Sequence, residues 1–169
     1  GAPLTVTKQH ISDGKAQAVI CNSGNANTCN ADGIEIAEKM SSLCAEALGL
    51  SPDDIVVAST GVIGQPLPIK PIAAGIPVLA KALSSDGCDE ACKAIMTTDT
   101  VPKAVAVEFE LGGKTCRLGG IAKGSGMIHP NMATMLVFLT TDAAISAEML
   151  KKALSADIAN TFNMISVDG

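Results

Sequence analysis

With 169 residues, 47% of them apolar and 17% charged, the chain is long enough and apolar enough to bury a core as one domain. Its net charge of −5, with no basic block and 2% aromatic residues, argues against nucleic acid as a partner and leaves a small molecule as the expected ligand. No apolar run reaches the roughly 18 residues that span a bilayer and Gly1 to Thr5 carries no secretory-signal pattern, so no membrane partner and a cytoplasmic location are expected.

In chain order, Thr5 to Gln9 and Ala16 to Cys21 read as two short strands around a Ser12-Asp-Gly14 turn, and Asn22-Ser-Gly-Asn-Ala-Asn27 reads as a polar loop. Ile36, Met40, Leu43, Cys44 and Ala47 recur at helical spacing until Gly49, which predicts an amphipathic helix from Ile34. Ser51 to Asp54 is a capped turn, and Ile55 to Ala58 is a continuous apolar strand leading into a glycine loop, Ser59 to Gly64. Prolines 66, 68, 71 and 77 divide the stretch up to Leu83 into short helical pieces, with a further helix over Asp89 to Ile95 and a polar turn over Met96 to Thr100.

Ala104 to Leu111 alternates like a half-buried strand, Gly112-Gly113 makes a hairpin turn, and Thr115 to Ala122 returns toward Lys123. Thr134 to Thr140 is strand-like, Ser146 caps a helix running to Asn160 with Leu150, Ala153, Leu154 and Ile158 on its apolar face, and Ile165 to Val167 starts another strand. With a buried-type strand beginning at the last residues, the chain is expected to be a single partial domain over 1–169. Six cysteines lack the spacing of a secreted disulfide framework and read as reduced thiols. Cys88 and Cys92, one helical turn apart, read as buried small hydrophobes rather than metal ligands, because His10 and His129 are the only histidines.

Three common signatures are excluded. Gly113-Lys-Thr115 has Glu108 where a phosphate-binding loop needs glycine, Gly124-Ser-Gly126 lacks the third glycine of a dinucleotide fingerprint, and no Gly-x-Ser-x-Gly elbow occurs with a His and an acid to complete it. What remains is four loops rich in Thr, Gly, Lys or Asn, each following a strand: 22–27, 59–64, 97–100 and 123–134. Strand ends are where α/β proteins place their chemistry.

The segments Asn22 to Asn27, Ala58 to Gly64 with Pro66-Leu-Pro68, Met96 to Thr100, Lys123 to Met127, Met132-Ala-Thr-Met-Leu136 with Thr140 to Ala143, and Ile165 to Gly169 resemble, in that order, the ornithine acetyltransferases of arginine biosynthesis. The resemblance spans essentially the whole chain. It implies a layered α/β/β/α sandwich of α/β (α+β) class and an N-terminal-nucleophile enzyme whose precursor cuts itself between Ala133 and Thr134. Residues 1–133 would then end an α chain and 134–169 begin a β chain, assembled as α2β2.

The same resemblance makes Thr134 the nucleophile, with the Thr60 hydroxyl and Gly61 N–H as oxyanion hole, and Thr97, Lys123 and Thr134 as substrate-binding residues. A threonine hydroxyl needs an adjacent base, and cleavage creates one in the new α-amine, whose ordinary pKa is about 7.7–8.0. The implied reaction moves acetyl from N2-acetylornithine to glutamate through an acetyl-threonine, with no metal or organic cofactor. Acetyl-CoA stays open as a second donor. An N-terminal-threonine amidohydrolase or aminopeptidase, which would pass the acyl group to water, and a catalytically inactive fragment are the alternatives.

Overall fold

The computed structural model describes residues 1–132 and 135–169. Its internal contacts divide the chain into two compact units, Gly1–Gly87 and Cys88–Gly169. Helices and sheets are both present, which is the mixed α/β class expected.

In the first unit the β-branched run Thr5 to Gln9 is helical rather than extended: α1 spans Ala2–His10. Pro3 in the first turn presets φ for a helix start, and Pro3 and Val6 are buried at a helical interval of three. Thr7 also has a job that favours this placement. Its hydroxyl donates to the Val57 carbonyl at 2.9 Å and accepts the Val57 N–H at 3.0 Å. One side chain thus satisfies both backbone groups of a strand residue, and α1 covers an edge that would otherwise invite pairing.

That strand is β2, Ile55–Val62, which pairs in parallel with β1, Ala18–Asn25, from Ala18 opposite Ile55 to Asn25 opposite Val62. Both strands run four residues further than the apolar pattern indicates, so Asn22 to Asn25 and Ser59 to Val62 are strand ends and not loops. Polar side chains extend the pairing there: Asn22 Nδ2 donates to the Asn25 carbonyl at 2.7 Å, and Ser59 Oγ donates to that same carbonyl at 3.1 Å while accepting the Asn27 N–H at 2.9 Å. These bonds replace apolar packing as the reason the strands continue.

The crossover between the strands is α2, Gly33–Leu48, ending at Gly49 as read from the sequence. Its buried stripe is Ala37, Met40, Ser41, Cys44 and Ala45, so Ala47 lies just off the core face and is exposed. The stripe packs with Val6, Ile20, Ile55, Val57, Leu67 and Ile76 into one core. The prolines do not break the next segment into pieces: α3 is one helix, Ile69–Ala82, with Pro71 in its first turn, where no N–H partner is lost, and Pro77 tolerated inside.

In the second unit α4, Cys88–Ala94, precedes a three-stranded antiparallel sheet of β3, Lys103–Leu111, β4, Lys114–Lys123, and β5, Leu136–Thr141, in that spatial order. Gly112 and Gly113 take φ of 58° and 74°, the two left-handed residues that a tight hairpin of this twist needs. Cys92 is buried and donates its thiol to the Lys103 carbonyl at 3.3 Å, while Cys88 is exposed, which corrects the reading of both as core. All six cysteines are free.

β3 is not half-buried. Val105, Val107, Phe109 and Leu111 are exposed along with the charged residues between them. The final helix, α5, Ala147–Ile158, is capped by Ser146 as expected, its hydroxyl accepting the Met149 N–H at 3.3 Å, yet Leu150 and Leu154 stay exposed. Ile165 to Val167 forms no strand; Val167 makes a single antiparallel bridge with Ile128.

Met40 is fully buried at the centre of the first unit's core. Met40→Ala is expected to lower stability by about 2–5 kcal/mol, seen as a fall in urea midpoint with an unchanged slope. A Cβ on Gly61 would overlap the Gly24 carbonyl and meet Asn25 N at 2.5 Å, at a φ of 127°. Gly61→Ala should therefore cost at least about 2 kcal/mol; a variant with the parental midpoint would show that the two strands do not approach so closely.

Candidate functional site

Two groups of the expected site residues are well defined, one in each unit. In the first unit Thr60 and Gly61 lie at the carboxyl end of β2, the end at which α/β sheets offer binding groups. Gly61 is paired in register with Gly24 on β1, and both take positive φ, 127° and 118°. Ordinary strand geometry fails at the same step on both strands. A matched pair of glycines turns the two backbones together and lets them approach more closely than a Cβ on Gly61 would allow. Thr60, beside it, is buried.

In the second unit the polar turn after α4 and the end of β4 converge on one carboxylate. Asp99 Oδ1 accepts Lys103 Nζ at 2.6 Å and the Gly124 N–H at 2.8 Å, and its Oδ2 accepts the Thr97 N–H at 3.3 Å. The Asp99 side chain is wholly buried. Burial alone would raise its pKa, but the hydrogen bond from Lys103, those from the Gly124 and Thr97 amides, and the charge of Lys103 outweigh burial and hold it at about 2. The group is a carboxylate throughout the neutral range.

Thr97 and Lys123, both expected to bind substrate, are brought together: Lys123 Nζ donates to Thr97 Oγ1 at 2.8 Å. Lys123 is only 5% exposed, and no carboxylate of the described residues lies within 4.0 Å of its ammonium. A buried ammonium normally has an anionic partner. Here the nearby carboxylate is already taken by Lys103, and among the described residues the hydrogen-bond partner of Lys123 is one neutral hydroxyl.

Ala133 and Thr134, the expected cleavage site and nucleophile, lie outside the described residues. Their neighbours are defined. Leu136 is paired with Lys123 in the β4–β5 register, and Met135 packs on Gly124, with its Cγ 3.4 Å from where a Cβ on that glycine would stand. The next residue along the chain from Thr134 thus touches the loop that Asp99 holds.

Sequence reasoning missed Asp99 and Lys103. An aspartate in a polar turn followed four residues later by a lysine is too common to single out, and only the fold shows Lys103 bonded to Asp99 and Asp99 bonded to the loop 25 residues downstream. Among the described residues no three His, Cys, Asp or Glu side chains gather in a metal-holding group. A depression of about 210 Å³ over the second unit's sheet is lined by Val105, Ile121, Val137, Leu139 and Phe162; apart from Lys103 it is apolar and unsuited to a charged ligand.

Comparison with known proteins agrees with the resemblance read from the motifs. The ArgJ family model matches residues 1–169. The arginine biosynthesis bifunctional protein ArgJ of Symbiobacterium thermophilum is 54% identical over 169 residues, covering 99% of this chain and 42% of that protein. That of Caldanaerobacter subterraneus subsp. tengcongensis is 51% identical with the same coverage. The chain therefore spans about two-fifths of the length of these curated relatives. Among solved structures, the Bacillus halodurans bifunctional protein ArgJ superposes with a TM-score of 0.70 at 43% identity, covering 79% of this chain and 71% of that one. The ornithine acetyltransferase of Mycobacterium tuberculosis, solved with ornithine, gives 0.68 at 34% identity, covering 79% and 72%. With a family match over all 169 residues and relatives half identical across nearly its whole length, the chain belongs to the ArgJ family.

Proposed function

We propose that the protein containing this chain transfers acetyl from N2-acetylornithine to glutamate in arginine biosynthesis, through an acetyl ester on Thr134. The observation that carries the proposal is the Lys123–Thr97 pair: a buried ammonium with a hydroxyl at 2.8 Å and no carboxylate within 4.0 Å among the described residues. Both substrates bring an α-carboxylate that such a pair binds well. Ornithine bound to the Mycobacterium tuberculosis relative also belongs to this class of ligand.

In this scheme the Ala133–Thr134 bond is cut first, which frees the Thr134 α-amine. That amine takes the hydroxyl proton as Thr134 Oγ1 attacks the acetyl carbonyl, and ornithine leaves. Glutamate then attacks the ester with its own amine, and the threonine hydroxyl is restored. The Thr60 hydroxyl and Gly61 N–H stabilise the oxyanion in both halves of the cycle. Support for Gly61 in this role is its position at the carboxyl end of β2, where it and its partner Gly24 both leave ordinary strand geometry. The scheme needs no metal or organic cofactor; acetyl-CoA enters only as an alternative donor. The assembly proposed is α2β2 and the location cytoplasmic.

N-terminal sequencing and intact mass of the full-length protein are expected to show a new chain beginning Thr134-Met-Leu, with Thr134→Ala abolishing both cleavage and transfer. An active enzyme that remains one uncut chain would overturn the scheme. Lys123→Met should raise KM for glutamate by about 10- to 100-fold, the value of one charge-assisted hydrogen bond in a buried site, in a steady-state assay of N-acetylglutamate formation. If KM does not move, the carboxylate site lies elsewhere.

A further inference from the structure

We infer that Asp99 and Lys103 form a positioning pair for the carboxylate site: Asp99 fixes Thr97 and Lys123 relative to each other, and Lys103 occupies Asp99 so that the Lys123 ammonium stays available to ligand. The inference depends on Thr97 and Lys123 being that site. The geometry behind it is specific. Thr97 and Lys123 come from separate loops, and their contact is one bond between two rotatable side chains. The loops themselves are joined by a hydroxyl hydrogen bond between Thr98 and Ser125 at 2.7 Å and by Asp99, which takes the Thr97 N–H with one oxygen and the N–H of Gly124, the residue after Lys123, with the other. Asp99 therefore grips the backbone at or next to both substrate residues, and its hydrogen bonds go to main-chain amides and Lys103.

Lys103 has a separate effect. A wholly buried carboxylate one threonine away from a buried ammonium would be expected to capture it, closing the site with an internal ion pair. In the structure Lys103 Nζ is 2.6 Å from Asp99 Oδ1, and its side chain is 41% exposed, so this cation is partly hydrated while the one left for ligand is buried. Two lysines and one carboxylate leave one surplus positive charge, placed on the buried lysine.

The test is steady-state kinetics of the full-length protein with N2-acetylornithine and glutamate, alongside thermal unfolding. Asp99→Asn keeps the shape but removes the charge that orients the two amides. It is expected to raise KM for both substrates by about tenfold with kcat within about twofold. Since Asp99→Asn can also harm folding, Lys103→Met is the second arm: at this partly exposed position it should raise KM several-fold with little change in unfolding temperature, and Lys103→Arg should restore it. Lys123→Met is the reference. If Lys123→Met leaves KM unchanged, the carboxylate-site reading fails and this inference with it. If Lys123→Met raises KM while Lys103→Met and a folded Asp99→Asn do not, the site stands and the positioning pair is wrong.

Discussion

Burying a carboxylate is costly unless its lone pairs are occupied, and Asp99 is the buried charge about which the second unit's polar loops are arranged. Three donors reach it from three places: the start of β3, the turn after α4 and the residue that follows β4. Removing any one would leave part of a buried charge unsatisfied, so the three segments are bound to one another more tightly than apolar contact alone would bind them. This matters because the sheet of that unit buries little. With most of β3 and of α5 exposed, the polar centre and the few buried residues near it, Cys92, Ile95 and Ile128, do the local work of a core.

The first unit solves the opposite problem. Its core is apolar and continuous, from Val6 through Met40 and Ile55 to Ile76, and what needs explaining is how two strands remain paired beyond it. On one side Thr7 answers both backbone groups of Val57. At the far end Asn22, Asn25 and Ser59 bond to the turning backbone, and Asn25 Nδ2 reaches the Pro66 carbonyl at 3.1 Å. The glycine pair sits within this polar lattice. Its departure from strand geometry is tolerated because the flanking side chains over-determine the backbone, a circumstance common at functional sites.

The elements legible in the sequence were those whose signal is local: α2 with its terminal glycine, the Gly112-Gly113 hairpin, α4, and α5 with its Ser146 cap. Three of the failures share one cause, an interaction made with residues distant in sequence. Thr5 to Gln9 looked extended because β-branched residues favour strands, yet Thr7 is helical and bonded to Val57. Asn22 to Asn25 and Ser59 to Val62 looked like loops because polar residues and glycine usually are, yet they hydrogen-bond to each other across the strands. Pro77 looked like a breaker, but the neighbours of α3 hold that helix through it. At the site, the motifs identified Thr97 and Lys123 and the structure joins them, whereas Asp99, which joins their backbones, carried no local mark.

With Thr97 and Lys123 as the proposed carboxylate site, the placement of charge favours a ligand over closure of the site upon itself. Desolvating an ammonium costs several kcal/mol, and for Lys123 that cost is met when the chain folds, with the gain shared across the Asp99 network and the β4–β5 pairing. An incoming carboxylate then meets a cation already stripped of water and already oriented by Thr97, so its binding bears little further reorganisation. A surface lysine would offer the same charge but keep its hydration until the moment of binding. The same reasoning applies to a nucleophile at Thr134. In the proposed scheme the Thr134 nitrogen is an amide that cannot take a proton until the Ala133–Thr134 bond is cut, so a carboxylate site built at Lys123 before cleavage would be ready in advance of the base that makes use of it.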